Sequence, residues 1–572
     1  MPMRFRPSIL NGDLALFLCL LAIPLACALN RVFPYLYGDE YGVLGAAAAL
    51  SGLEWRAPPM PYYGFLASIV TAPLYLLDLS PGLTYRLTLA VNALMLAGSG
   101  WLTLKLLRLV KMPGPAADPR SPLLIVLAAY TYPGVVHLSS LALGESVLLF
   151  VFTANAFLLA RLLCADTSTN ARSSLESALL GLSLGAAPFA HSRGLAFLIA
   201  GVIVLALAAW ARRVRGLHLA LITVFLSLSF GALARVKAHL LASFYGDIVA
   251  STSSGMDFAA RAVQMVADPA RIVELLRIAF GQLFYLTTSS YGIWLLGALL
   301  LVAVQQRFWT RALPRGGVRQ GAGDAGLQLL LAYLLCSIVL LYSVSVLALA
   351  VPKRADHYFY GRYNEVLMPA VAVLALVAMA RTNARHVRYA IVFAVCSVVA
   401  MALVVSRYPP EIFDMRIAYA QISGWFIHRQ QDWKIDPIAI MYRVAACQMV
   451  LALLLLKSRR AFLAALVVFN AYISWYLFTQ RHMEVDRLDP NWKEFAALEA
   501  RLDGRLDGHS IRVAGGKPNR PMALQFALPA SRVIYGSSSE TPDALLDYTG
   551  RRCHPGRVVA RVTGAALCYT LP

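Results

Sequence analysis

Charged side chains are scarce in this chain: Asp, Glu, Lys and Arg make up 14% of its 572 residues, against about 25% in an ordinary soluble domain. Acid is scarcer still, with 30 Asp and Glu against 51 Lys and Arg. A soluble globular protein is excluded, and the few acids present become candidates for function. No CxxC pair or His/Cys spacing suited to a zinc site occurs. No internal repeat relates the two halves, which weighs against a duplicated transporter. Of the eight cysteines, Cys19, Cys27, Cys164, Cys336, Cys396 and Cys447 lie in or beside apolar segments, where they pack as small hydrophobes. Cys553 and Cys568 alone fall in a polar tail, and a tail outside the cytoplasm would permit a disulfide between them.

What the chain has instead is apolar sequence, 59% hydrophobic with a mean hydropathy of +0.63. Runs of the roughly 20 residues needed to cross a bilayer recur from Leu14 to Phe478. The fold class expected is mainly α, a polytopic membrane protein. The first run is long and followed by many others, so it is expected to stay as an uncleaved span. The net charge of +21 is spread in basic clusters between runs, among them Arg212/Arg213/Arg215 and Arg381/Arg385/Arg388. The loops between those clusters carry mixed charge. That alternation marks the cytoplasmic side and excludes a nucleic-acid partner.

Arg4 and Arg6 hold the N-terminus inside, so the stretch after span one faces out. Following the alternation gives about thirteen crossings and an outer C-terminus. Met60 to Leu79 is expected to be interfacial or re-entrant, because a full crossing would invert every later basic cluster. Leu123 to Leu143 and Leu283 to Val304 each read as one crossing. Residues 1–479 form the transmembrane part, with an outer loop at 31–83. Residues 480–572 form a small outer α/β domain, with a charged helix at Trp492 to Leu506 and strands at Ser510 to Ala514, Arg532 to Tyr535 and Val558 to Val562.

Four polar features then share the outer face: Asp39/Glu40, Glu145, His191/Arg193 and Lys353 to Glu365. Each has a plain structural reading. Glu145 could cap the helix that follows, Arg193 could snorkel to headgroups, Lys353 and Arg354 could anchor at the interface, and His191 could be a satisfied buried histidine. Together they place three carboxylates beside several cations on one face. A carboxylate there can take a proton from an acceptor hydroxyl. Cations and tyrosine hydroxyls can stabilise a leaving phosphate.

The Asp39-Glu40 pair after span one, the Gly52…Trp55 ending, the Pro/Tyr-containing helix after it and Tyr85-Arg86-Leu87 at the entry to span two resemble the GT-C superfamily of glycosyltransferases. An acid in the next outer turn, Glu145, and the Tyr360–Pro369 stretch YGRYNEVLMP extend the resemblance, which is nearest to protein O-mannosyltransferases and aminoarabinose transferases. The sequence departs from that pattern in having Glu145 where Asp is usual, and in the extra polar residues Asp356, His357 and Glu365.

The resemblance implies an inverting transferase that takes sugar from a polyprenyl phosphate in the bacterial cytoplasmic membrane. Asp39 would be the general base, with Glu40 and Glu145 orienting the acceptor or holding a divalent ion. Arg193, His357, Tyr360, Arg362 and Tyr363 would be substrate contacts, Arg354 less so. Metal dependence stays open, and the acceptor is a glycan, lipid or protein. Two other readings stand beside it: a flippase or other transporter of lipid-linked sugars, and a polymerase or ligase with a diphosphate-linked donor.

Overall fold

The computed structural model describes residues 7–572 except 29–30, 32–33, 35–36, 57–63, 113–120, 165–169, 246–267, 313–321, 351–353, 416–421, 423, 426–434, 489–501, 503–505, 515–519, 535–541, 548–557, 563–564 and 570–572. Among the described residues seven helices are long and apolar enough to cross a membrane, and nine if two bent pairs each count as one span. The protein is therefore a multi-pass, mainly helical membrane protein. The helix Tyr37–Leu50 holds the acidic pair in its first turn, where carboxylates offset the positive end of the helix dipole. Its Ala-rich remainder packs against Leu66–Thr71, which continues as a 3-10 turn, Ala72–Leu76. That helical piece is about 16 Å long at the usual rise, too short to cross.

Two crossings read as continuous are broken. The run Leu123 to Leu143 divides into Ser121–Tyr130 and Pro133–Ser139, bent by 67°. Pro133 forces this, since the residue before a proline is driven out of the helical region, and Tyr132 has φ −50° and ψ 128°. The run Leu283 to Val304 divides at Ser290–Gly292 into two helices bent by 112°. Here Tyr291 at φ 55° and Gly292 at φ 83° end the first helix, a conformation that glycine adopts without strain. Both runs are long enough to cross, and that length masked the local signals of the breaks, Pro133 in one and the polar Thr287–Ser290 before Gly292 in the other.

The tail carries a five-stranded sheet of β1 (Ser510–Ala514), β2 (Arg532–Ile534), β3 (Ala544–Asp547), β4 (Val558–Val562) and β5 (Ala565–Tyr569), in the order β2-β1-β3-β5-β4. β1 pairs in parallel with β2 and β3, and the β3–β5 and β4–β5 pairs are antiparallel. The helix Arg520–Ala527 makes the β1-to-β2 crossover. The sheet domain docks on the acidic loop: the Trp55 indole donates to the Pro529 carbonyl at 2.8 Å, and Phe526 meets Tyr85 edge-on at 6.0 Å. Of the charged helix expected at Trp492 to Leu506 only Leu502 and Leu506 are described, both buried; Cys553 and the Cys568 side chain lie outside the described residues and side chains.

Candidate active site

Asp39, Glu145, Arg193 and Arg362 come from four separate elements and meet at one end of the bundle. The Arg362 guanidinium lies between two carboxylates, pairing through Nη1 with Asp39 and through Nε with Glu145 Oε1 at 2.7 Å. Arg193 Nη2 reaches the same Glu145 oxygen at 3.0 Å. Arg193 also stacks 4.0 Å from the centre of the Tyr363 ring and donates to the Tyr363 carbonyl at 3.1 Å. Charges desolvated this deeply are stable only when paired. Burial works against the charge on Arg362, and Glu145 and Asp39 outweigh it, so its pKa sits well above the usual arginine value.

Local structure explains how the partners arrive. Glu145 opens a helix, and Arg193 sits in the 3-10 turn Ser192–Gly194. Gly194 is required there, since a Cβ would lie 1.9 Å from the Ala187 carbonyl oxygen. His191 caps the turn, accepting from the Arg193 amide and, at 3.2 Å, from Arg193 Nε through Nδ1. Burial, with the Arg193 charge beside it, pushes His191 well below its ordinary value. It acts here as an acceptor that aims a guanidinium.

The three acids differ in exposure. Asp39 keeps 26% of its side chain exposed, while Glu145 keeps 1% and Glu40 is fully buried. Glu40 Oε1 accepts from the Tyr85 hydroxyl at 2.5 Å and from the Ala142 amide at 2.9 Å. Asn92 donates to the carbonyls of Leu141 and Leu143 at 2.6 and 3.2 Å. Glu40 and Asn92 thus hold the turn that leads into Glu145. A cavity of about 340 Å³ is lined by Asp39, Glu145, His191, Arg362, Tyr245 and Gly64, among others. Arg193 reaches it through Glu145.

Tyr360 meets Tyr363 edge-on at 4.5 Å, and His357 lies 6.4 Å from Tyr360. They form an aromatic row running back from the arginines, outside the cavity lining. Arg354 pairs with Asp356 at 3.0 Å; Lys353 is outside the described residues. Among the described residues no three His, Cys, Asp or Glu side chains converge as a metal site. Asp39 and Glu145 share Arg362, so this donor set does not fit a divalent ion as placed.

One acid absent from the expected site residues is prominent in the structure. Glu365 is fully buried, accepts a hydrogen bond from the Tyr285 hydroxyl and lies against Gly134. Burial pushes its carboxyl up to about 7, against the Tyr285 hydrogen bond and the Arg362 charge, which pull it down. Its signal in the sequence was an acid directly before a long apolar run. Nothing in the sequence pointed to Asn92 or Tyr285.

Against known structures, the chain superposes over 98% of its length on 98% of ArnT from Cupriavidus metallidurans. It does so with the undecaprenyl phosphate complex at TM-score 0.53 and the apo form at 0.54, each at 13% identity. The chain shares the fold of that ArnT. An oligosaccharyltransferase from Archaeoglobus fulgidus in the apo form is matched at TM-score 0.44 and 10% identity, over 91% of this chain and 64% of that one. No protein-family model matches, and no curated protein matches in sequence. A fold shared with ArnT is in keeping with the resemblance carried by Asp39-Glu40 and Tyr360–Pro369.

Proposed function

We propose that this protein is a membrane glycosyltransferase that moves a sugar from a polyprenyl-phosphate donor to an acceptor hydroxyl, with inversion, at the outer face of the cytoplasmic membrane. The observation that carries the reading is Arg362, held between Asp39 and Glu145 at a cavity in a chain with the fold of ArnT. Of the three acids, Asp39 alone combines partial exposure with a place in the cavity wall. It takes the acceptor's proton as the acceptor oxygen bonds to the anomeric carbon. The bond from that carbon to phosphate breaks, and the electron pair leaves on polyprenyl phosphate.

A donor phosphate is a natural partner for the Arg362 and Arg193 guanidiniums, whose forked donors suit phosphate oxygens. Glu145 presents both arginines, Glu40 fixes the turn before it, and Tyr363 backs Arg193, with Tyr360 and His357 behind. The wider arrangement is about thirteen crossings with the N-terminus inside. Residues 1–479 form the catalytic part, and 480–572 an outer domain beside the acceptor entrance. The gathering of acids and arginines at one end favours a transferase over a flippase or other transporter.

The test is donor turnover by purified protein across a panel of polyprenyl-phosphate sugars, wild type against Asp39→Asn. Expected is turnover of one donor by wild type, reduced about 10²–10⁴-fold in the variant, the span of a lost general base, with donor binding kept. Wild-type turnover by Asp39→Asn removes Asp39 as the base. Absence of donor binding across the panel removes the transferase reading.

A further inference from the structure

An apolar cavity lies away from the Arg362 site, toward the other end of the bundle. About 740 Å³ of space, part of it open to the outside, lies between five helices, with walls that include Ala156, Leu330, Ala370 and Val373. Rings line the end nearer the site: Phe152 stacks on Tyr333 at 5.6 Å, and the Tyr130 hydroxyl is hydrogen-bonded to Thr103 at 2.6 Å. Val110, Met112 and Val377 line the far end. Ala370 and Val377 are about two helical turns apart, so the cavity is about 10 Å deep.

The far rim is cationic. Arg381 lies one turn beyond Val377 on the same helix face, and its Nη2 donates to the Lys111 carbonyl at 3.4 Å. Lys111 stands between two lining residues and is exposed, as is Arg381. Arg459 caps the same helix end through the carbonyls of Ala380 and Thr382. An apolar cavity excludes water, and one set among membrane spans is filled from the bilayer.

We propose that this cavity holds one acyl chain of an anionic glycerophospholipid, whose phosphate rests on Lys111, Arg381 and Arg459. The depth selects the occupant. About 10 Å takes the distal part of a chain that spans one leaflet of roughly 15 Å, and the rings at the inner end stand in the way of a long isoprenoid tail. The lipid belongs to the leaflet opposite the Arg362 site and is distinct from the proposed donor.

The test uses the full chain, purified and delipidated in detergent, with phosphatidylglycerol, phosphatidylcholine of the same chains, or undecaprenyl phosphate added. Retained lipid is counted by native mass spectrometry. Wild type is expected to keep phosphatidylglycerol about tenfold or more over phosphatidylcholine, the scale set by cations at a membrane surface. Ala370→Phe, which fills the cavity, should abolish retention. Arg381→Gln should lower phosphatidylglycerol toward the phosphatidylcholine level. Equal retention of the two phospholipids, or undiminished retention by either variant, overturns the proposal. So does displacement of phosphatidylglycerol by undecaprenyl phosphate in wild type but not in Arg381→Gln. If Ala370→Phe fails to fold, the Arg381→Gln result decides alone.

Discussion

Adjacent acids in this site have different work, and substitution separates them. Glu40 uses one oxygen for two hydrogen bonds, and a glutamine offers the same oxygen. Glu40→Gln is therefore expected to keep most turnover, at a cost of about 1 kcal/mol in stability, whereas Asp39→Asn loses turnover. Equal loss in the two would give Glu40 a direct part in the chemistry. Glu145→Gln leaves two buried guanidiniums undercompensated, and about 3–5 kcal/mol should be lost in thermal unfolding. Glu365 predicts a pH dependence of stability. Its pKa rises from an ordinary 4.5 to about 7 on folding, so the folded state binds more protons between those values. Its contribution is full below about 4.5, falls as pH rises to about 7, and is flat beyond. The loss is about 3 kcal/mol. Glu365→Gln should remove that slope between pH 5 and 8, measured as Tm against pH; parallel curves would show that Glu365 does not titrate in this range. His191 shifts the other way, so acidification below about 6.5 weakens both proteins alike.

The two broken spans are what bring the polar ends of helices beneath the site. Tyr132, at the first break, donates to Ser289 at the second over 2.8 Å. The Gly424 amide donates to the Tyr285 hydroxyl at 2.8 Å, and the Trp425 indole to Thr288 at 2.8 Å. The joined breaks form the floor on which Glu365 and Arg362 stand. Gly361 is part of the fit, since a Cβ there would lie 1.7 Å from the Tyr285 ring. Gly361→Ala is expected to cost about 1–3 kcal/mol through overpacking and to lower donor turnover by moving Tyr285 off Glu365. Gly38→Ala, in open space on the acidic helix, should leave both unchanged or gain slightly. Unfolding curves and turnover for the pair check this, and equal behaviour would mean the Tyr285 contact is slack. Run length made most helices legible, because twenty apolar residues admit little else. It did not show the breaks, because run length takes no account of Pro133 or of the polar Thr287–Ser290 before Tyr291-Gly292. Asp39, Glu145, Arg193 and Arg362 could be nominated from one-sided placement, but their pairing depends on backbone paths joining residues up to 323 positions apart.

At the scale of the whole molecule, the sheet domain and the acidic helix are one packed unit. β1, β2 and β4 showed in the sequence as β-branched runs. β3 and β5, rich in Ala and Leu, carry little strand propensity of their own and are strands because their neighbours pair with them. No local pattern could show that Trp55 would bond Pro529, 474 positions on. That contact and the Phe526–Tyr85 edge place the tail directly behind Glu40, because the Tyr85 hydroxyl is a Glu40 partner. The tail should therefore act on the site and not merely cover it. Phe526 is 2% exposed, and Phe526→Ala is expected to loosen the tail by about 3–5 kcal/mol. Limited proteolysis should then cut the sheet domain while the spanning helices stay intact. Turnover should fall in step, as Tyr85 gains room and the Ala142 turn that leads to Glu145 relaxes. Full turnover from a protein with a readily cut tail would make the sheet domain a cap with no hold on the chemistry.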